Sequence, residues 1–388
     1  MTNPASADVA VAVAVAVRGM YFPEHYGPIG AGADAVAINA AIAAAQAAGG
    51  GMIVLSQPYA IESTISVATG PAVQFWCLGA GNRQVNPKTL TGGYVRPANG
   101  FPPDRPLFSI GRPSARRKNP CGTTFLTPRI SGIAPDGTAI RGCTGILVTD
   151  TADVHLIEPF LANFDRAGAS GTAVALTAAS PGDGPGFCVT GGMISSCWRG
   201  IYGDGAGVTD LRLSGLLEHS NIQGITLGAT AGGGGLQLTG CHLVYASAPP
   251  GAYRLSLGRA AGDFVVVANY FDKNGASPSV VLATARGRIS DNHFLADATC
   301  SGPLITLSTA NQNLTFRGND CRGNGSSMTA LLQLLAGAGG APTNGVYDGN
   351  NVYGTHPALI APLIDRNGVA IPATSTATTY VAGNVAGA

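Results

Sequence analysis

The chain has 388 residues, a formal net charge of +1, 45% apolar residues, 56 glycines and only 11% charged residues. Near-neutrality excludes a global field that would steer it to nucleic acid or to a membrane surface, so neither is an expected partner. Charge this sparse, against the roughly 25% usual in globular domains, leaves apolar flanks that self-association is expected to cover.

In chain order, residues 9–17 alternate Val and Ala, a period of two that suits a strand or an extended arm. The segment has no basic leader and is too short and weakly apolar for a secretion signal or a membrane span. Synthesis in the cytoplasm is expected, with release by a route such as assembly into a particle freed by lysis. Residues 1–26 therefore read as an attachment or oligomer-contact arm. Next come Gly27, Gly32, Asp34, Ile38, Ile42 and the triplet Gly49, Gly50, Gly51. They predict one amphipathic helix over 34–48, with Asp34 as N-cap and Gly49 as the left-handed stop. Short strands follow at 52–55 and 59–61. Over 83–118, Arg83, Lys88, Arg96, Arg105, Arg112, Arg116, Arg117 and Lys118 face one acid, Asp104. This insertion is either a solvated loop or an anion-binding or docking face.

From residue 146 the chain repeats. Apolar positions Ile146, Val174, Ile201, Ile225, Leu255, Val281, Ile305, Leu332 and Ile360 are separated by 28, 27, 24, 30, 26, 24, 27 and 28 residues. A second apolar column lies about ten residues further on, at 187–189, 211–213, 236–238, 264–266, 288–289, 314–316 and 346–347. It is followed by polar turns in which Asn269, Asn292, Asn319 and Asn350 stack as a ladder, Asn being able to bond its own backbone and its neighbours and to tolerate left-handed dihedrals. Two or three short strands per repeat predict an all-β solenoid of parallel strands about 4.8 Å apart, stabilised coil against coil and capped by the single helix. A TIM barrel would need eight helical patterns. The β-helix is expected over 27–370, with 371–388 as a tail.

Residues 27–78, the run 73–78, the following Gly79-Ala80-Gly81 and the Asn-x-Phe turns resemble the right-handed parallel β-helix proteins of the pectate-lyase-like superfamily, over about 27–365. That resemblance implies polysaccharide lyases, glycoside hydrolases, epimerases, fructotransferases or phage tailspikes that bind or cut host glycans. It also implies a trimer. The Asn-Thr-Asp, Asp-Asp and Gly-His-Gly motifs of polygalacturonase-like hydrolases do not occur, which argues against pectin hydrolysis.

Glycoside hydrolysis needs two carboxylates about 5–9.5 Å apart. Glu218 falls at a position that its neighbouring coils fill with Ile194, Leu243, Phe271, Phe294, Cys321 and Val352. A carboxyl there would have its pKa raised, as a general acid requires; the plainer reading is a bulge that turns Leu217 inward and Glu218 outward. Asp210 is the partner expected for it, with Glu158, Asp165 and Asp272 in reserve. Asp153, Asp183 and Asp204 read as corresponding turn residues or as an acidic edge. Arg166, Arg199 and Arg212 lie nearby for lyase chemistry. Trp198, Tyr202, Tyr245, Tyr253 and Tyr270 suit either sugar stacking or a subunit interface. Substrate contacts are expected from Asp183, Asp204, Trp198, Tyr202 and Tyr245.

The eight cysteines, at 77, 121, 143, 188, 197, 241, 300 and 321, have no C-x-x-C pair and no histidine at ligand spacing. They read as small buried hydrophobes, with no disulfide framework, no metal and no cofactor expected. The reading that gathers these features is a particle-borne, tailspike-like homotrimer, located on a virion or extracellular particle through 1–26, that binds a cell-surface polysaccharide and is a candidate depolymerase. The alternatives are a free-standing lyase, hydrolase or fructotransferase-like enzyme, and a non-catalytic receptor-binding β-helix.

Overall fold

The computed structural model describes residues 19–30, 32–68, 70–79, 92–111, 122–150, 153–178, 186–205, 208–228, 235–245, 249, 251–258, 263–273, 275–283, 286–308, 313–335, 345–375 and 379–386. They form one parallel coil with three sheets, here sheets 1, 2 and 3, of 14, 12 and 11 strands. One turn of the coil visits them in that order, as in Leu211–Ser214, Leu217–His219 and Gln223–Leu227. Each strand pairs in parallel with its equivalents one coil away. The exception is Thr374–Ser375, which runs antiparallel to Thr379–Ala382.

The interior is set by side-chain alternation, because a strand position repeated in register stacks like on like. Sheet 1 sends in Phe187 and Val189, then Leu211 and Leu213, then Leu236 and Leu238, all buried. Sheet 2 stacks Ile194, Glu218 and Leu243 in one inward column that continues to Phe271, Phe294, Cys321 and Val352. Phe271 and Phe294 lie parallel with centroids 5.0 Å apart. Sheet 3 stacks Ile146, Val174, Ile201, Ile225 and Leu255 as the repeat predicts. Two members need correction. Val280, not Val281, pairs with Leu255 and Ile305; two adjacent valines are indistinguishable by residue type. The last member is Leu363, paired with Leu332, while Ile360 is 52% exposed, because this coil is longer than its predecessors.

Each Asn of the ladder is buried between sheets 1 and 2 and joins two coils. Asn319 Nδ2 donates to Ile289 O at 3.0 Å and to Asn350 Oδ1 at 2.9 Å. Its Oδ1 accepts from the Asn292 backbone N at 3.2 Å and from Nδ2 at 3.0 Å. The ladder ends on a fifth rung, Asn384. The left-handed residue is not the Asn but the one before it: Ala268, Asp291, Gly318, Gly349 and Gly383 have φ of 56°, 57°, 62°, 60° and 62°. This frees the amide to point inward.

At the first end the helix Asp34–Ala47, α1, packs against the opening strands. Ala33 rather than Asp34 is its N-cap. The buried Asp34 carboxylate instead accepts from the Ala60 backbone N at 2.7 Å, tying helix to sheet 2. Gly49 is left-handed at φ 93°, as the stop requires. Residues 19–26 belong to the body: Met20–Tyr21 pairs with Gly51–Leu55, and Glu24 accepts from Ser56 and Tyr59. Much of the expected tail is body too, since Thr379–Ala382 extends sheet 1 and Val385–Ala386 extends sheet 2. Residues 1–18, 80–91 and 112–121, hence most of the arm and the ends of the basic insertion, lie outside the described residues. Seven cysteines are described as free thiols, all but Cys188 buried, and burial pushes Cys143 and Cys197 up to about 12.

Candidate functional site

Glu218 points inward, with its side chain 1% exposed, and Leu217 outward, so the bulge reading fails and the register holds. Its partner is one that sequence spacing does not reveal. Arg254, 3% exposed in its side chain, donates from Nη1 to Oε2 at 3.0 Å and to Oε1 at 3.3 Å. Its Nη2 donates to the Asn221 and Ile222 carbonyls at 2.8 and 3.4 Å. Burial pushes the Glu218 carboxyl above its ordinary 4.5, while Arg254 and Asn221 oppose the rise.

Arg254 also lies 4.6 Å over the Tyr245 ring, and Arg166 lies 5.2 Å over the same ring while donating to its hydroxyl. Trp198 packs against this group with Ile222 and Ala252. The structure thus joins Glu218, Tyr245 and Trp198, but around a buried ion pair at the corner between sheets 2 and 3.

The other predicted residues lie elsewhere. Asp210 is exposed, left-handed at φ 58°, at the start of a sheet 1 strand. It is on a different sheet from Glu218, which faces the interior, so the two do not share a solvent-facing site. Tyr202 and Asp204 lie on sheet 3, where the Tyr202 hydroxyl donates to Asp204 at 3.1 Å and Arg199 stacks on Tyr202 at 4.4 Å. Asp204 aligns with Thr177 in sheet 3, whereas Asp153 precedes a sheet 1 strand, so these two are not corresponding turn residues. Asp183 lies outside the described residues. Asp165 serves its own turn, accepting from Gly168 N at 3.0 Å and from Ser170.

The outer face of sheet 2 carries a more connected arrangement. One column runs Arg129, Phe160, Met193, Leu217, His242, Tyr270, His293, Asp320 and Asn351 across successive coils. Its first half lines a cleft of about 560 Å³ walled by Glu158, Gly191, Gly192 and Gly215. Phe160, although outward, is only 7% exposed. In the second half His242 and Tyr270 meet edge to face at 4.4 Å, and Tyr270 lies 5.1 Å from the His293 ring. His293 Nδ1 bonds Asp320 Oδ2 at 2.8 Å, and the Tyr353 hydroxyl donates to the same oxygen at 3.2 Å. Two residues along from Tyr270, Asp272 is half-buried; burial raises its carboxyl above 3.8, Asp297 adds to that, and His242, Tyr270 and His293 oppose it. The same carboxyl drives the Tyr270 phenol up to about 12, second to burial.

Sequence reasoning named Tyr270 among the aromatics suited to sugar stacking and held Asp272 and Glu158 in reserve, but it missed His242, His293 and Asp320. The signal was available. Each stands one residue before an inward member of the column that exposed Glu218, so stepping that alignment back by one gives the outer column.

No protein-family model matches the sequence, and no curated protein matches it. Solved structures do. DFA-IIIase from Arthrobacter chlorophenolicus A6, as a mutant in complex with DFA-III, is 17% identical with a TM-score of 0.63, covering 90% of this chain and 87% of its own. The same enzyme in complex with GF2 is 18% identical, TM-score 0.63, covering 94% and 98%. ORF18 of Geobacillus virus E2 is 14% identical, TM-score 0.55, covering 94% of this chain and 63% of its own. Three parallel sheets, one capping α-helix and these likenesses lead to one conclusion: the chain has a right-handed parallel β-helix fold.

Proposed function

We propose that the chain binds a polysaccharide along the outer face of sheet 2 and cuts it there, as a particle-borne, tailspike-like trimer. The observation that carries this reading is the unbroken outer column, apolar and cleft-forming at one end and built of His, Tyr and Asp at the other. An elongated ligand needs contacts that repeat along one direction, and a solenoid face supplies them at about 4.8 Å per coil. Ring faces offer apolar contact and a polar tip together, which suits a sugar. The viral likeness over 94% of this chain supports the particle-borne form. Glu218 is in this reading an internal ion pair, Asp210 lies apart from it, and Tyr202, Asp204, Trp198 and Tyr245 flank the site at sheet 3 and its corner.

A free-standing carbohydrate enzyme is the second reading, favoured by the DFA-IIIase structures in complex with DFA-III and GF2. Retention on a panel of immobilised bacterial surface polysaccharides tests the shared core. Tyr270→Ala is expected to weaken retention at least about tenfold, the order of 1–2 kcal/mol of lost ring contact, with an unchanged melting temperature. Undiminished retention would move the site off this face.

A further inference from the structure

The outer face of sheet 2 brings together two proton-transfer groups of opposite kind on adjacent coils, a half-buried carboxyl at Asp272 and an imidazole at His293 that is fixed by Asp320. Resting on the glycan reading above, we propose that the reaction is hydrolysis with inversion, Asp272 acting as general acid and His293 as general base, with Asp320 positioning the histidine.

The roles follow from the surroundings. Asp272 lies within electrostatic reach of His242, His293 and Asp297 and two residues from Tyr270, and its Oδ1 is buried without a hydrogen-bond partner. A carboxyl in such a place holds its proton more readily than one in water, and so has one to give. His293 faces Tyr270, Asp272 and Asp320. Its bond to the Asp320 carboxylate places the proton of the neutral ring on Nδ1, which leaves Nε2 as the acceptor. Asp320 is itself steadied by the Tyr353 hydroxyl.

Asp272 pairs across the sheet with Leu295, and His293 with Tyr270. Asp272 and His293 are therefore one coil and two strand positions apart, a diagonal of about 8 Å between backbones. Outward side chains stand roughly perpendicular to a sheet, so the carboxyl and the imidazole are set about that far apart, the order of the ~6.5–9.5 Å between the acid and base of an inverting site, which leaves room for a water opposite the scissile bond. In the step, His293 Nε2 takes a proton from that water as its oxygen bonds to the anomeric carbon. The glycosidic C–O bond breaks, and the Asp272 proton goes to the departing oxygen. One water is consumed per cut and no other reactant is required.

The test uses the full-length protein and whichever polysaccharide of the surface panel it retains. The expected products are heavier by one water per cut and carry the inverted anomer when read by NMR immediately after cleavage. Asp272→Asn and His293→Gln should each lower kcat by about 10²–10⁴-fold, the usual worth of general acid or base catalysis, with melting temperature unchanged. Asp320→Asn should lower kcat with KM unchanged and shift the acidic limb of the pH profile. A merely structural Asp320 would move none of these while the fold holds. Unsaturated product ends, a retained anomer, or full activity in Asp272→Asn would each overturn this assignment alone, whereas retention without cleavage would overturn it together with the cutting proposed above. Failure to retain any panel polysaccharide would overturn the glycan reading and this assignment with it.

Discussion

Glu218 and Arg254 show what one buried charge asks of its neighbours. Each is costly to take out of water, and each is tolerable because the other stands 3.0 Å away with further bonds to Asn221 and Ile222. Arg254→Met is therefore expected to destabilise by about 3–5 kcal/mol, since it strands the carboxylate. Adding Glu218→Leu, which matches Leu243 one coil on, should recover most of that loss; denaturant midpoints of the single and double variants check it. The pH dependence has a definite sign. Because folding raises the Glu218 pKa, the native state binds the proton more tightly than the unfolded chain, so this group's contribution is full below about 4.5 and is lost as pH rises through the native value. Glu218→Gln should flatten that decline in a thermal melt series; an unaltered pH slope would show that Glu218 does not cause it.

At the level of the coil, the Asn ladder is a second set of cross-links beside the strand ladder. Removing its middle rung by Asn319→Ala takes the side-chain partner from the buried Asn292 backbone N and from the Ile289 carbonyl, while Asn350 Oδ1 keeps its bond from the backbone N of residue 319 and Asn292 Nδ2 keeps Val266 and Ser290. At about 1–3 kcal/mol for each unsatisfied group, several kcal/mol should be lost, read as a lower denaturant midpoint. The same coil explains how far a sequence can be read. Inward columns and the Asn turns were legible because strand period and coil period both leave marks in residue order. The Arg254 contact was not, since its strand reads as ordinary Tyr-Arg-Leu-Ser-Leu alternation and its partner lies 36 residues away. Asp34 misled for a local reason: a good capping residue served a contact between helix and sheet instead. The histidines of the outer column were legible in principle, but attention to the buried side of an alignment hides the exposed side next to it.

For the whole molecule, the sparse charge and the open flanks bear on assembly and attachment. A trimer is expected, and sedimentation should give three times the 38.9 kDa chain. Since residues 19–26 are pinned to the body by Met20, Tyr21 and Glu24, the informative deletion is 1–18. A spike so shortened should lose attachment to its particle while keeping its assembly and glycan retention, whereas a free enzyme should lose nothing.

The Asn ladder also gives the body a direction in time. The corner amide of Cys241 is held by Asn269, that of Asn269 by Asn292, and so on to Asn350 and Asn384. Each corner between sheets 1 and 2 from Cys241 to Asn350 is thus completed by a residue synthesised after it. A chain emerging from the ribosome would carry a single unfinished corner, always at its growing edge, like a zip fastener whose next tooth closes the last.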